Sequence, residues 1–194
     1  MPALEILTPR LRLLALTPQS SFAALKDRAE FSRLIDADVP AEWPPRDLAD
    51  VEGLLASRLA EHPDEVGWWG WYVIALPGVV VPGAVPGRAT LIGSAGCSRW
   101  GPQGVPQFGY GILPAFYRQG FATEAATNLI AWVMAQPGIT RVEATTFERH
   151  IASVKILERC GFRNCGVSPD DATAAESDRQ GRGKLILFVR ERTG

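Results

Sequence analysis

The sequence predicts an α+β fold: a mixed, mostly antiparallel β-sheet with helices on both faces. Short apolar and β-branched segments outnumber helical ones and follow one another closely, as hairpin strands do. The segment 47–61 repeats Val51, Leu54, Leu55 and Leu59 at helical spacing. A strand–helix–strand order spans 107–147, which is the pattern of a parallel crossover.

The elements follow in order. Glu5–Leu16 sets Leu11, Leu13 and Leu14 against Arg10 and Arg12 and reads as a first strand. A helix begins at Pro18-Gln-Ser-Ser, with Phe22, Leu25 and Ala29 expected on its apolar face. Asp38–Arg46 holds Pro and Trp and reads as a loop, and Asp47–Glu61 as a helix. Trp68–Leu76, rich in aromatic and β-branched residues, is a strand. Pro77–Arg88 (PGVVVPGAVPGR) is a Pro- and Gly-rich hairpin loop. Ala89–Ser98 and Gln107–Leu113 are strands, Thr123–Ala135 a helix stopped by Pro137-Gly138. Ile139–Phe147 is a strand that alternates Val142, Ala144 and Thr146 against Glu143 and Thr145. Ile151–Cys160 is a helix with Gly161 as its left-handed cap. Asp170–Gly183 is polar and reads as a mobile segment, and Lys184–Arg190 is the last strand.

Composition removes several function classes. A chain of 194 residues with 46% hydrophobic content forms one compact domain, 1–194, with a real core. A net charge of -1 gives no steering toward nucleic acid or an anionic membrane, and the aromatic run Trp68-Trp69-Gly70-Trp71-Tyr72 carries no Lys or Arg for base stacking against phosphate. Cys97, Cys160 and Cys165 are too few for a disulfide framework and read as reduced thiols. With two histidines, His62 and His150, and no zinc spacing, no metal is expected. No signal pattern opens the sequence and no apolar run nears the roughly 20 residues of a membrane span, so a cytoplasmic protein is expected.

The segment most suggestive of function is Phe108-Gly-Tyr-Gly-Ile-Leu-Pro114 followed by Ala-Phe-Tyr-Arg-Gln-Gly-Phe-Ala-Thr-Glu-Ala125. An apolar strand runs into a Pro-bounded turn, then into a Gly-containing loop that opens a helix. Such a loop aims several backbone N–H groups at one spot, beside the positive end of the helix. That is a site for a phosphate or diphosphate.

The same stretch, Gly109 to Ala125, resembles the coenzyme A motif of the GNAT superfamily of N-acetyltransferases, in the form of its RimJ/RimL-like branch. Ala152-Ser-Val-Lys-Ile-Leu-Glu-Arg-Cys-Gly-Phe162 is similar to the branch's second signature, Thr8-Pro-Arg-Leu-Arg-Leu13 to its opening strand, and Leu91-Ile-Gly-Ser94 to its third. The resemblance implies a splayed sheet that takes acetyl-coenzyme A between the strands at 107–113 and 140–147. It implies that Ile112 and Leu113 pair with the pantetheine arm, with one of their N–H groups facing the acyl oxygen. Gln119, Gly120, Phe121, Ala122 and Thr123 would hold the diphosphate through their N–H groups, with Arg118 or Lys155 available to the phosphates. The acceptor would be a primary amine, either a protein N-terminus or a small molecule.

Four positions depart from the branch: Tyr117 opens the diphosphate loop, Gln107 stands where Glu is usual, His150 replaces an Asn, and Leu157 replaces a Tyr that serves as general acid in relatives. The proton-transfer candidates are therefore Ser153 for the departing thiolate, which it would also contact as a cofactor residue, and Glu143 or His150 as base. Each has a plain alternative: Ser153 as a helix cap, His150 as a surface residue, Glu143 facing solvent. Glu124, in a first helical turn, reads as a dipole partner. Trp43, Trp68, Trp69, Trp71, Tyr72 and Trp100 divide between core packing and an acceptor pocket walled by loops 36–46, 77–88 and 99–106. Exposed Trp in those loops would suit a homodimer face. The alternative function is a non-catalytic acyl-coenzyme A-binding module, suggested by Gln107 and Leu157.

Overall fold

The computed structural model describes residues 4–83, 85–98, 104–169 and 181–192. Among them the chain forms β1 (Glu5–Leu7), β2 (Leu11–Ala15), α1 (Pro18–Lys26), α2 (Arg28–Ile35), α3 (Arg46–Glu61), β3 (Trp71–Ala75), β4 (Thr90–Ser98), β5 (Gln107–Ile112), α4 (Phe121–Ala135), β6 (Arg141–Phe147), α5 (Ile151–Arg159), β7 (Arg163–Val167) and β8 (Leu185–Glu191). The strands follow the order β1-β2-β3-β4-β5-β6-β8-β7. β5 and β6 are parallel, as the expected crossover requires, while β1–β2, β2–β3, β3–β4, β6–β8 and β7–β8 are antiparallel. The mixed, mostly antiparallel sheet is therefore as expected. The chain divides into two compact units, Met1–Gly96 with Tyr110–Ala125, and Cys97–Gly109 with Ala126–Gly194.

In the first unit, the expected strand 5–16 is two strands. Pro9 has no N–H for a ladder, and the Thr8 N–H closes a turn on the Leu11 carbonyl at 2.9 Å. The helix at Pro18 is capped by Thr17 and Ser20, each bonding the other's backbone N–H, and it stops at Lys26 because Asp27 caps α2 in turn. Ala29 thus belongs to α2, and Phe22 and Leu25 are exposed; Ser20, Ser21 and Ala23 are the buried residues of α1.

The same correction applies to α3. Leu54 is 71% exposed and Val51 also faces water, whereas Glu52, Ala56 and Leu59 are buried. These three keep helical spacing, but a Glu and an Ala in the buried row disguise it. Glu52 is 0% exposed. The Tyr72 hydroxyl donates to its Oε1 at 3.0 Å, and its Oε2 has no protein partner. Burial pushes the Glu52 carboxyl up to about 7. The Tyr72 ring packs edge-on against Phe31 and Trp43 at 5.1 and 6.0 Å. Every residue of β3 is buried, so Trp71 and Tyr72 are both core, and Trp43 is as well. Neither Trp43 nor Trp68 is therefore free to line a dimer face. Trp100 lies outside the described residues.

In the second unit, β6 packs Val142, Glu143 and Ala144 inward, and Arg190 on β8 bonds the Cys160 carbonyl at 2.7 Å. Gly161, at φ +81°, ends α5 as expected, and Phe162 stacks on Phe108 at 6.2 Å. β7 has no counterpart in the sequence reading. All five of its residues are exposed, so it shows no apolar alternation and is held at the sheet edge by β8. None of the three cysteines is in a disulfide; burial pushes the Cys97 thiol up to about 12. Residues 170–180 of the expected mobile segment lie outside the described residues.

Candidate functional site

The loop between β5 and α4 begins where β5 leaves the sheet. The Leu113 N–H donates to the Ile92 carbonyl on the β4 side at 2.8 Å. That N–H is committed, which removes it as a donor to a ligand. Successive N–H groups of an extended strand point to opposite edges, so the Ile112 N–H points away from β4. Gly93 makes the close approach possible: a Cβ there would lie 2.2 Å from the Gly111 carbonyl oxygen.

Pro114–Phe116 form one 3₁₀ turn, closed by the Phe116 and Tyr117 N–H groups. Arg118 and Gly120 then take left-handed backbone, at φ +62° and +81°. For Gly120 this costs little; for Arg118 it is a strained conformation that the surrounding bonds must hold. α4 begins at Phe121, two residues earlier than expected, so Phe121, Ala122 and Thr123 occupy its first turn. The Glu124 N–H returns to the Gly120 carbonyl at 3.0 Å. Among the described residues, the N–H groups of Gln119, Gly120, Phe121 and Ala122 have no protein acceptor. Free amides at a helix start are of the kind that can bind an anion. The expected residues from Ile112 to Thr123 all belong to the first unit.

Beneath this loop lies a contact set that the sequence reading missed. Arg10 Nε donates to Glu124 Oε2 at 2.7 Å and Nη1 to the Gln119 carbonyl at 2.9 Å. Its guanidinium lies 4.6 Å from the centre of the Phe121 ring. The Arg10 N–H and the Thr8 hydroxyl both donate to Glu124 Oε1, at 3.0 and 2.6 Å. These donors hold the Glu124 carboxyl below its usual range against the opposing effect of burial. Glu124 is therefore an anchor as well as a dipole partner. One signal was available: Pro9 breaks the strand, which places Arg10 at a turn.

The remaining candidates stand in the second unit. Glu143 is 7% exposed, so it does not face solvent. It is ion-paired with Arg141, accepts from Gln107 Nε2 at 2.7 Å, and sits at the one register pair that joins β5 to β6. His150, exposed, is the residue before α5 and makes no side-chain cap. Ser153 is the third residue of α5 and half-buried; the residue at the cap position is His150. Leu157 is buried in the core. Lys155 and Arg159 are exposed on α5.

Within the first unit, the loop 38–42 with Pro82, Gly83 and Val85 lines a cavity of about 860 Å³ that reaches Ala115 and Phe116. Asp38 and Glu42 stand in its wall, and Asp38 is paired with Arg88 at 2.7 Å. Among the described residues no helix is long and apolar enough to cross a membrane, and no group of His, Cys, Asp and Glu could hold a metal ion.

Known proteins share this fold. An N-acetyltransferase of Bacillus subtilis (strain 168), YjdG, described as uncharacterized, is 23% identical over 155 residues, covering 80% of this chain and 87% of that protein. The structure of the ribosomal-protein-S5-alanine acetyltransferase from Vibrio fischeri superposes with a TM-score of 0.59 at 14% identity, covering 97% of this chain and 96% of that one. RimL, a ribosomal L7/L12 α-N-protein acetyltransferase solved in complex with coenzyme A, gives 0.59 at 15% identity with 96% of both chains covered. The model of the acetyltransferase (GNAT) domain matches residues 10–163, from Arg10 beneath the loop to the start of β7. By that match the chain belongs to the GNAT acetyltransferase family.

Proposed function

We propose that this protein is an acetyl-coenzyme A-dependent N-acetyltransferase of the RimJ/RimL-like kind, acting on a primary amine. The observation that carries the reading is the run of unpaired amides from Gln119 to Ala122, with left-handed Arg118 and Gly120 beside it. A diphosphate accepts bonds of the charge-assisted kind from such a run, each worth about 1.5–3 kcal/mol. A side chain at Gly120 would meet Arg10 Nη2 at 3.3 Å and crowd the same space. The residues present therefore fit the group. The ligand, when bound, supplies an acyl carbon activated as a thioester. Ile112 would offer its N–H to the acyl oxygen. Ser153 would hydrogen-bond the sulfur as the thiolate leaves. The family model spans both compact units, which supports treating them as one catalytic domain.

The acceptor must lose a proton, because an amine attacks only when neutral. Glu143 and His150 are the two groups proposed to accept it. Glu143 is bound by Arg141 and Gln107, so a proton there would break an ion pair; His150 has no such cost. A non-catalytic acyl-coenzyme A-binding module is the second reading, favoured by Leu157 in the core where relatives carry a Tyr.

The test is binding of acetyl-coenzyme A by thermal shift, then thiol release against a panel of peptides and small amines. Binding with turnover on at least one amine is expected. Binding without turnover on any of them supports the second reading, and no binding at millimolar ligand ends both.

A further inference from the structure

We propose that Arg10 is a positioning residue for the diphosphate-binding loop, acting from 109 residues upstream through the carbonyl of Gln119. The inference rests on the functional reading above and adds to it a residue outside the loop.

The argument is geometric. In a trans peptide the carbonyl of one residue and the N–H of the next point in opposite directions. Arg10 Nη1 draws the Gln119 carbonyl toward the β1–β2 turn at 2.9 Å. The Gly120 N–H must then face away from Arg10, out of the loop. Gly120 lacks a Cβ, and its φ of +81° lies in a region that backbone alone would leave loosely populated. Something outside the loop must therefore select this orientation. Arg10 is bound at three other points, which makes it stiff enough to do so. Its Nε is fixed on Glu124 in the first turn of α4, its own N–H on the same carboxylate, and its plane on the Phe121 ring. Thr8 completes the hold on Glu124 at 2.6 Å. One side chain thus ties together the residue before Gly120, the residue after it and the helix that follows. Lysine is a weaker substitute, since its compact ammonium lacks the planar fork that meets the carbonyl and the carboxylate from fixed directions.

The experiment compares wild type, Arg10→Gln and Arg10→Lys by ligand-observed NMR titration with two probes. Acetyl-coenzyme A carries the diphosphate; S-acetylpantetheine has the same acyl arm without it. Arg10→Gln is expected to weaken acetyl-coenzyme A at least about tenfold and to leave S-acetylpantetheine within about twofold, with Arg10→Lys between. Melting curves establish that each variant is folded. Should Arg10→Gln fail to fold, Arg10→Lys must show the same ligand-selective weakening in smaller measure. Unchanged acetyl-coenzyme A affinity in a folded variant, or equal loss for both probes, overturns the role of Arg10 while leaving the functional reading intact. A wild type that binds neither probe overturns the functional reading as well.

Discussion

Glu52→Gln tests the packing of α3 on the core through pH. Glu52 is 0% exposed, with one oxygen on Tyr72 and the other without a protein partner. Its carboxyl is pushed from 4.5 to about 7 by burial. Below pH 4.5 both folded and unfolded chains hold the proton, and the buried group carries no ionisation penalty. Between 4.5 and 7 the unfolded chain releases the proton and the folded chain keeps it, so stability falls as pH rises. At 1.36 kcal/mol per pH unit the full loss is about 3.4 kcal/mol, complete above 7. Between pH 5 and pH 8 the calculated loss is about 2.5 kcal/mol. Gln is neutral throughout and can still accept from Tyr72. The difference in unfolding free energy between Glu52→Gln and wild type is therefore expected to grow in favour of the variant by about 2.5 kcal/mol from pH 5 to pH 8. For a chain of this size that corresponds to about 5–10 °C in Tm. The assay is urea unfolding of both proteins at pH 5, 6, 7 and 8. Glu65, held at about 2 by Arg58, and Glu124, also lowered, stay ionised across that window and cancel in the difference. Parallel pH curves for the two proteins would refute the argument.

Three further outcomes are expected. Gly120→Ala places a Cβ at φ +81° beside Arg10 and should cost about 1–2 kcal/mol of stability and about tenfold in acetyl-coenzyme A affinity, read by melting and calorimetry. Gly93→Ala puts a methyl 2.2 Å from the Gly111 carbonyl, where backbone cannot give way cheaply, so a loss of about 3 kcal/mol or failure to fold is expected in denaturant titration. Ser153→Ala should lower kcat about 100-fold with acetyl-coenzyme A affinity unchanged, measured by thiol release once an acceptor is found; an unchanged kcat would return Ser153 to a structural role.

What could be read from the sequence depended on whether a residue's chemistry matched its burial. β3, β4, β6 and β8 were legible because Val, Ile, Trp and Leu both prefer strands and fill the core. The β5–α4 loop was legible because Pro114 and Gly120 bracket it. α1 and α3 were found at the right starts but turned the wrong way, since Ser20, Ser21 and Glu52 are buried while Phe22, Val51 and Leu54 are not, and α1 was carried past Asp27 into what is a separate helix, α2. β7 was invisible because a strand exposed at every residue has no pattern to read. Arg10 was taken for the outward member of an alternating strand; its contacts with residues 119–124 are long-range, and the local sequence hints at them solely through the strand break at Pro9.

Arg10 also resolves a contradiction in the loop itself. A carboxylate in the first turn of a helix stabilises the helix, yet it competes with any anion that would use the same turn. Glu124 avoids that competition by direction and by charge. The Thr8 hydroxyl, the Arg10 N–H and Arg10 Nε all come from the β1–β2 turn and hold the carboxylate toward Thr8 and Arg10. Its negative charge is matched by the Arg10 guanidinium 2.7 Å away. The helix keeps an acidic residue near its positive end, and the four amides ahead of it remain uncontested. Remove the arginine and two faults appear together: the Gln119–Gly120 peptide loses its tether, and the Glu124 carboxylate loses its cationic partner beside the proposed diphosphate site. Remove the carboxylate instead and the arginine stays beside the loop as a cation. The two halves of this ion pair are therefore unequal in function, although either loss breaks the same bond.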